Sequence, residues 1–164
     1  MTIQPINSIR VLIADDDENI LQCYRTAFGG NDADDYVETL GSLEAELFDA
    51  RPVSEAAPKF DIVACKQGDD AISLVAEATR EGKPFDVVIL DVRMPPGIDG
   101  VEAGSRIRHL DPDVEIVFVT GFADLTMSEI ARRVPPPVKL HYFNKPLSFM
   151  QLAESVAGMV RTGH

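Results

Sequence analysis

Aspartates stand at two places where an apolar run of this sequence stops. Ile9 to Ala14 runs into Asp15-Asp16-Asp17, and Phe85 to Leu90 (FDVVIL) runs into Asp91. Two more apolar runs end on polar groups of other kinds. Val114 to Val119 reaches Thr120-Gly121, and Leu140 to Phe143 reaches Asn144-Lys145-Pro146. If Asp15, Asp16 and Asp91 met within a few ångströms, they would repel, and one would protonate unless a cation neutralised the group. Oxygen ligands of that charge suit Mg²⁺, which keeps several waters and often bridges to phosphate. Lys145 would neutralise further charge and hold a phosphoryl oxygen as a point donor. Thr120 could donate to another oxygen, and Gly121 leaves room beside it. A carboxylate facing a metal can itself act as nucleophile and form an acyl phosphate. Such chemistry needs mainly positioning and charge stabilisation from a protein. Each feature alone is ordinary: an acidic pair before a helix is usually an N-cap, a terminal threonine a surface hydroxyl, a Lys-Pro step a loop. Their coincidence at four strand ends carries the argument.

The elements that must position these groups follow from periodicity. The strands are Ile9–Ala14, Phe60–Cys65, Phe85–Leu90, Val114–Val119 and Leu140–Phe143. The helices are Glu18–Phe28 with Asp17 as cap, Asp69 (as cap) to Arg80 with Gly82 as stop, Val101–Leu110, Leu125–Arg133, and Phe149–Val160. Pro135-Pro136-Pro137 ends the fourth helix. Strict alternation implies an α/β fold, a doubly wound five-stranded parallel sheet covered on both faces. Right-handed crossovers leave few topologies, of which the flavodoxin-like order 2-1-3-4-5 is expected. In that order the ends of strands one, three, four and five share one crevice.

The chain has 164 residues, suiting a single domain, and no internal repeat. A net charge of −12 argues against direct contact with nucleic acid or anionic lipid. No apolar run is long enough to span a membrane, and Met1 to Arg10 lacks the pattern of a secretion signal. Cys23 and Cys65 sit in apolar-patterned segments and are expected to be small buried thiols in a cytoplasmic protein. The segment 29–58 breaks the alternation. It holds eight acids against the single base Arg51, and Val37, Leu40, Leu47 and Phe48 recur at helical spacing. It reads as a surface insert or a docking element for a partner.

The runs VLIADDDENIL, VVILDVRMPPGIDG, IVFVTG and YFNKP resemble the receiver domain of two-component response regulators, over about residues 9–160 apart from the insert. The resemblance implies that Asp91 is the phospho-acceptor and that Asp16 binds Mg²⁺ directly, Asp15 through water, with the backbone carbonyl of Arg93 as a further ligand. It makes Thr120 the switch hydroxyl, Tyr142 the switch aromatic and Lys145 the catalytic lysine, followed by a cis bond to Pro146. A histidine kinase or histidine phosphotransfer protein would donate the phosphoryl group. Movement of Thr120 and Tyr142 would then repack the face of helix four, strand five and helix five. That face would take a downstream effector or a second copy of the chain, with Arg132 and Arg133 available for acids across a two-fold axis. The chain would catalyse nothing beyond its own phosphorylation and dephosphorylation. Three departures stand out: the second proline of MPPGIDG, the insert, and the bulky Arg93 and Phe122 beside the expected path of attacking water. The MPPG spelling is similar to receivers placed ahead of sensor kinases or cyclic-di-GMP enzymes, so a larger natural chain and a stand-alone regulator both stay open. Two rivals remain: a receiver-like interaction module that is never phosphorylated, and a haloacid-dehalogenase-type phosphatase. The latter wants Asp-x-Asp where this chain has Asp91-Val92-Arg93.

Overall fold

A computed structural model of the chain describes residues 8–29, 59–121 and 126–162. In order they form β1 (Ile9–Ala14), α1 (Glu18–Ala27), β2 (Phe60–Cys65), α2 (Gly68–Arg80), β3 (Val87–Asp91) and α3 (Gly100–Leu110). Then come β4 (Glu115–Thr120), α4 (Met127–Arg133), a 3₁₀ turn (Pro137–Lys139), β5 (Leu140–Asn144) and α5 (Phe149–Thr162). All strand pairs are parallel, and the sheet order is β2-β1-β3-β4-β5, as the alternation implies.

Side chains alternate across each strand, and both faces are buried. Leu12, Val88, Leu90, Ile116 and Phe118 face α2, α3 and α4, meeting Ala71, Val75, Val101, Ile107 and Ile130. Val11, Ile13, Ile89, Val117 and Val119 face α1 and α5, meeting Leu21, Tyr24, Leu152 and Val156. Tyr24 stands edge-on to Phe149 at 4.9 Å between ring centroids, which ties α1 to α5. With helices on both faces, the sheet offers its strand ends as the place where polar groups can gather.

The structure shifts several boundaries. β3, β4 and β5 each reach one residue further than expected, so Asp91, Thr120 and Asn144 close their strands. Their backbone pairing accounts for this: Asp91 is in register with Val119, and Thr120 with Asn144. At their other ends β3 starts at Val87 and β4 at Glu115. The N-cap of α2 is Gln67, not Asp69; Gln67 has extended backbone and its side chain makes no cap bond. The helix can start at Gly68 because a Cβ there would lie 3.0 Å from both Ile98 Cγ1 and Ala103 Cβ, a fit only glycine meets without displacement. Asp69 and Asp70 fall in its first turn, where the helix dipole favours them. Gly82 ends α2 as expected, with φ +75°. α4 starts at Met127 behind a Thr126–Glu129 capping box. Cys23 is exposed, against expectation, and Cys65 is half-buried. The helix expected within 29–58, Phe122, Leu125 and the tail from 163 on lie outside the described residues, apart from Gly29.

Candidate functional site

The site is built where β1 and β3 stop. Asp15 directly follows β1 and is almost fully buried, Asp16 beside it is exposed, and Asp91 ends β3 and is buried. One carboxylate oxygen from each lies within 4.8 Å of the others, a set that could hold a metal ion. The two buried carboxylates are held alike. Asp15 Oδ1 accepts from the Asp17 N–H at 2.9 Å, and Asp91 Oδ1 accepts from the Arg93 N–H at 3.1 Å. Their other oxygens turn to Lys145, whose Nζ donates to Asp91 Oδ2 at 3.0 Å and stands 3.7 Å from Asp15 Oδ2.

Charge is not balanced here. Burial pushes the Asp15 carboxyl well above the usual carboxylate range, and the negative charge of Asp91 adds to the rise. The Asp17 N–H and the Lys145 ammonium act against it. For Lys145, burial works to lower the ammonium, yet its bond to Asp91 and the charges of Asp91, Asp15 and Asp16 hold it above its ordinary value. Asp15 Oδ2 is buried and has no hydrogen-bond partner. A buried carboxylate oxygen without a hydrogen bond costs on the order of 1–3 kcal/mol, which the Lys145 ammonium at 3.7 Å offsets in part. Three carboxylates against one ammonium leave two negative charges, which suits a hard divalent cation with oxygen ligands. The residues present therefore fit Mg²⁺.

The surrounding backbone keeps this geometry tight. The Lys145 N–H donates to the Thr120 carbonyl at 2.8 Å, joining the exit of β5 to the end of β4. The stem of Lys145 passes Gly121, where an added Cβ would lie 3.7 Å from Lys145 Cδ. The Lys145–Pro146 bond is cis, as expected. At Gly100, where α3 begins, a Cβ would lie 2.0 Å from the Asp91 carbonyl oxygen. Tyr142 is half-buried on β5, stacked near Phe118 with centroids 6.3 Å apart, and its hydroxyl donates to the Met127 carbonyl at 3.4 Å. Asp15, Asp16, Asp91 and Lys145 are thus brought together, and Thr120 closes the neighbouring strand. Arg93 follows on the exposed loop after β3. Arg132 and Arg133 are both exposed, and Arg133 also pairs with Glu102 at 3.4 Å.

Sequence reasoning missed two features. Gly100 lies one residue before the expected helix Val101–Leu110, yet it begins α3, and its closeness to Asp91 excludes any side chain. Gln67 was passed over entirely. Its Nε2 donates to the Pro95 carbonyl at 3.2 Å, and its Oε1 accepts from the Gly97 N–H at 3.1 Å. A glutamine before a glycine has no period or motif to announce it, and its partners are backbone groups about thirty residues on.

Comparison with known proteins follows the same lines. Residues 51–157 match the family described as the response regulator receiver domain. The sensor kinase CckA of Brucella abortus is 33% identical over 93 residues, covering 57% of this chain and 9% of that protein. The response regulator receiver protein CpdR of the same organism is 30% identical over 78 residues, 48% of this chain and 62% of that protein. The chain therefore spans less than two thirds of the length of these curated relatives. Among solved structures, a response regulator receiver protein from Sinorhizobium medicae superposes with a TM-score of 0.64 at 21% identity, over 98% of this chain and 100% of that one. TrrA of Thermotoga maritima, solved in complex with Mg²⁺-BeF, gives 0.57 at 21% identity, over 92% and 98%. At these identities the structures speak for the fold. No helix among the described residues is long and apolar enough to cross a membrane.

Proposed function

The chain belongs to the response regulator receiver domain family, and from that premise we propose that Asp91 accepts a phosphoryl group with Mg²⁺ held at Asp15, Asp16, Asp91 and the Arg93 carbonyl. The observation that carries this reading is the contact of Lys145 Nζ with Asp91 Oδ2 at 3.0 Å beside two further carboxylates. In the transfer, an Asp91 carboxylate oxygen forms the new O–P bond. The bond from phosphorus to the donor breaks, and the donor leaves with that electron pair: the imidazole of a phosphohistidine, or the ammonia of phosphoramidate after protonation. When bound, Mg²⁺ supplies positive charge against the phosphoryl oxygens. Lys145 carries the remaining positive charge and donates to one oxygen. Bonds of the Arg93 N–H to Asp91 and of the Asp17 N–H to Asp15 hold both carboxylates in place before any donor arrives.

The donor on this reading is a histidine kinase or histidine phosphotransfer protein in the same compartment, the cytoplasm. Thr120 and Tyr142 then report the phosphoryl group to the face formed by α4, β5 and α5. A shift of this kind needs two states with different contacts. The hydroxyl bond of Tyr142 to Met127 supplies one such contact to exchange. The same face serves an effector or a second copy of the chain. Beyond handling its own phosphoryl group the domain has no reaction to catalyse.

The test is intact-mass measurement after incubation with Mg²⁺ and phosphoramidate. The wild-type chain gains one phosphoryl mass, and Asp91→Asn gains none. An equal gain in Asp91→Asn refutes the assignment. Sedimentation with and without beryllofluoride tests self-association, and an unchanged monomer counts against the two-fold contact.

A further inference from the structure

One side chain hydrogen-bonds the loop after β3 to the connection between β2 and α2. Gln67 lies between β2 and α2, and its carboxamide crosses to the loop, using both ends: Nε2 on the Pro95 carbonyl at 3.2 Å and Oε1 on the Gly97 N–H at 3.1 Å. A primary amide carries a donor and an acceptor on one planar group, and here both are used. The contact also explains why Gln67 leaves its own helix start uncapped. The neighbouring fit is shaped for it. Gly97 has no Cβ, and one placed there would stand 2.5 Å from Gln67 Oε1. Gly68 lets Ile98 seat against the start of α2. From Asp91, the same loop is held by the Arg93 N–H on Asp91 Oδ1, by the Gly100 N–H on the Val92 carbonyl at 2.8 Å, and by buried Met94. Arg93 thus sits between two anchors, Asp91 on one side and Gln67 on the other.

We propose that Gln67 is a positioning residue of the phosphoryl-acceptor site: it fixes the loop of residues 92–97 and so sets the Arg93 carbonyl for the divalent ion. The proposal rests on the reading of Asp91 as acceptor. Gln67 touches neither the ion nor the phosphoryl group. Its loss leaves the three carboxylates and Lys145 in place and loosens one ligand that comes from backbone, so the effect falls on ion affinity before the maximal rate of phosphorylation. The extra proline of this loop lengthens the span that needs fastening, which gives a fixed glutamine a use here.

The experiment compares wild type, Gln67→Met, Gly97→Ala and the double variant. Mg²⁺ binding is read by isothermal titration calorimetry, amide hydrogen exchange over residues 93–99 by mass spectrometry, and the rate of phosphorylation by phosphoramidate as a function of Mg²⁺. Gln67→Met keeps the length of the side chain and removes both hydrogen bonds. Expected are a three- to tenfold weaker Mg²⁺ affinity, faster exchange over the loop, and a maximal rate at saturating Mg²⁺ within twofold of wild type. Gly97→Ala, which breaks the same contact from the loop side, gives a similar loss. The double variant falls no further than the worse single, because the two changes remove one shared contact. Wild-type Mg²⁺ affinity in Gln67→Met, or losses that add in the double variant, overturns the proposal. A wild-type chain that exchanges slowly at the loop yet binds no Mg²⁺ overturns the reading of the site, and this proposal with it.

Discussion

Removing one carboxylate from the site should make the ion-free protein more stable, although it removes a charged group from beside a lysine. Asp15 is almost fully buried, its Oδ2 has no hydrogen-bond partner, and Lys145 stands 3.7 Å away. Two unit charges at the 4.8 Å limit of the cluster repel by about 3 kcal/mol at an effective dielectric of about 20. Lys145 offsets part of this, and it stands nearer Asp91 than Asp15. Asn at position 15 keeps an oxygen for the Asp17 N–H bond and discards the charge. The net gain at neutral pH is about 1–2 kcal/mol, which for a chain of this size raises Tm by roughly 2–8 °C. The sign with pH follows from the direction of the Asp15 shift. Its carboxyl lies higher in the folded chain than unfolded, so the penalty is present at neutral pH and fades as acid protonates it. Thermal unfolding by circular dichroism in EDTA, at pH 7.5 and again near pH 5, measures both. Adding Mg²⁺ at a hundredfold excess over its Kd should stabilise wild type by about 2.7 kcal/mol, and Asp15→Asn by much less at the same concentration. A variant less stable than wild type in EDTA, or one that keeps the full Mg²⁺ response, refutes the charge argument.

Three further outcomes follow from contacts in the structure. Gly100→Ala drives a Cβ to within 2.0 Å of the Asp91 carbonyl oxygen, so backbone must move; a loss of about 2–3 kcal/mol is expected, read by urea unfolding, and a neutral result would mean that α3 shifts freely against β3. Gly121→Ala should be tolerated, since its Cβ meets Lys145 Cδ at an ordinary 3.7 Å. Gly121→Val should crowd the lysine and slow phosphorylation by phosphoramidate, and equal rates would show that the stem of Lys145 has room to move. Burial and the charge of Asp70 push the Cys65 thiol to about 12, leaving on the order of one thiolate in ten thousand at pH 8. Iodoacetamide should therefore modify exposed Cys23 in the native chain and spare Cys65, and peptide mapping that finds Cys65 labelled first would contradict the burial.

Which parts of this were readable from sequence depends on how many residues share one physical cause. β3 and β4 are apolar along nearly their whole length because both faces are covered, so their existence and parallel pairing are legible without any contact known. Parallel register then sets the strand ends side by side, and the polar residue that closes each run falls at the crevice without further assumption. Single positions fare worse. Cys23 sits among apolar residues, but at 3.6 residues per turn it lies about a third of a turn from the centre of the face made by Ile20, Leu21, Tyr24 and Phe28. Neighbours in sequence therefore suggested a burial that the helix does not grant. Asp69 has the side chain of a good cap, yet α2 starts earlier because Gly68 fits against Ile98 and Ala103, a contact between distant segments.

Gln67 shows the same limit at the site itself. Its partners are backbone groups of residues 95 and 97, and backbone groups leave no mark on a sequence. The carboxylates and the lysine announce themselves because each carries a full charge at a strand end. The residue that holds their loop carries none, and only its contacts with a segment about thirty residues away in sequence give it a role. Charge placement and loop fastening are thus separable properties of one site. Asp15→Asn changes the first and leaves the Gln67 contacts intact, whereas Gln67→Met changes the second and leaves the charges intact. If the site works as argued, the first variant raises stability in EDTA while weakening the ion. The second weakens the ion without that gain.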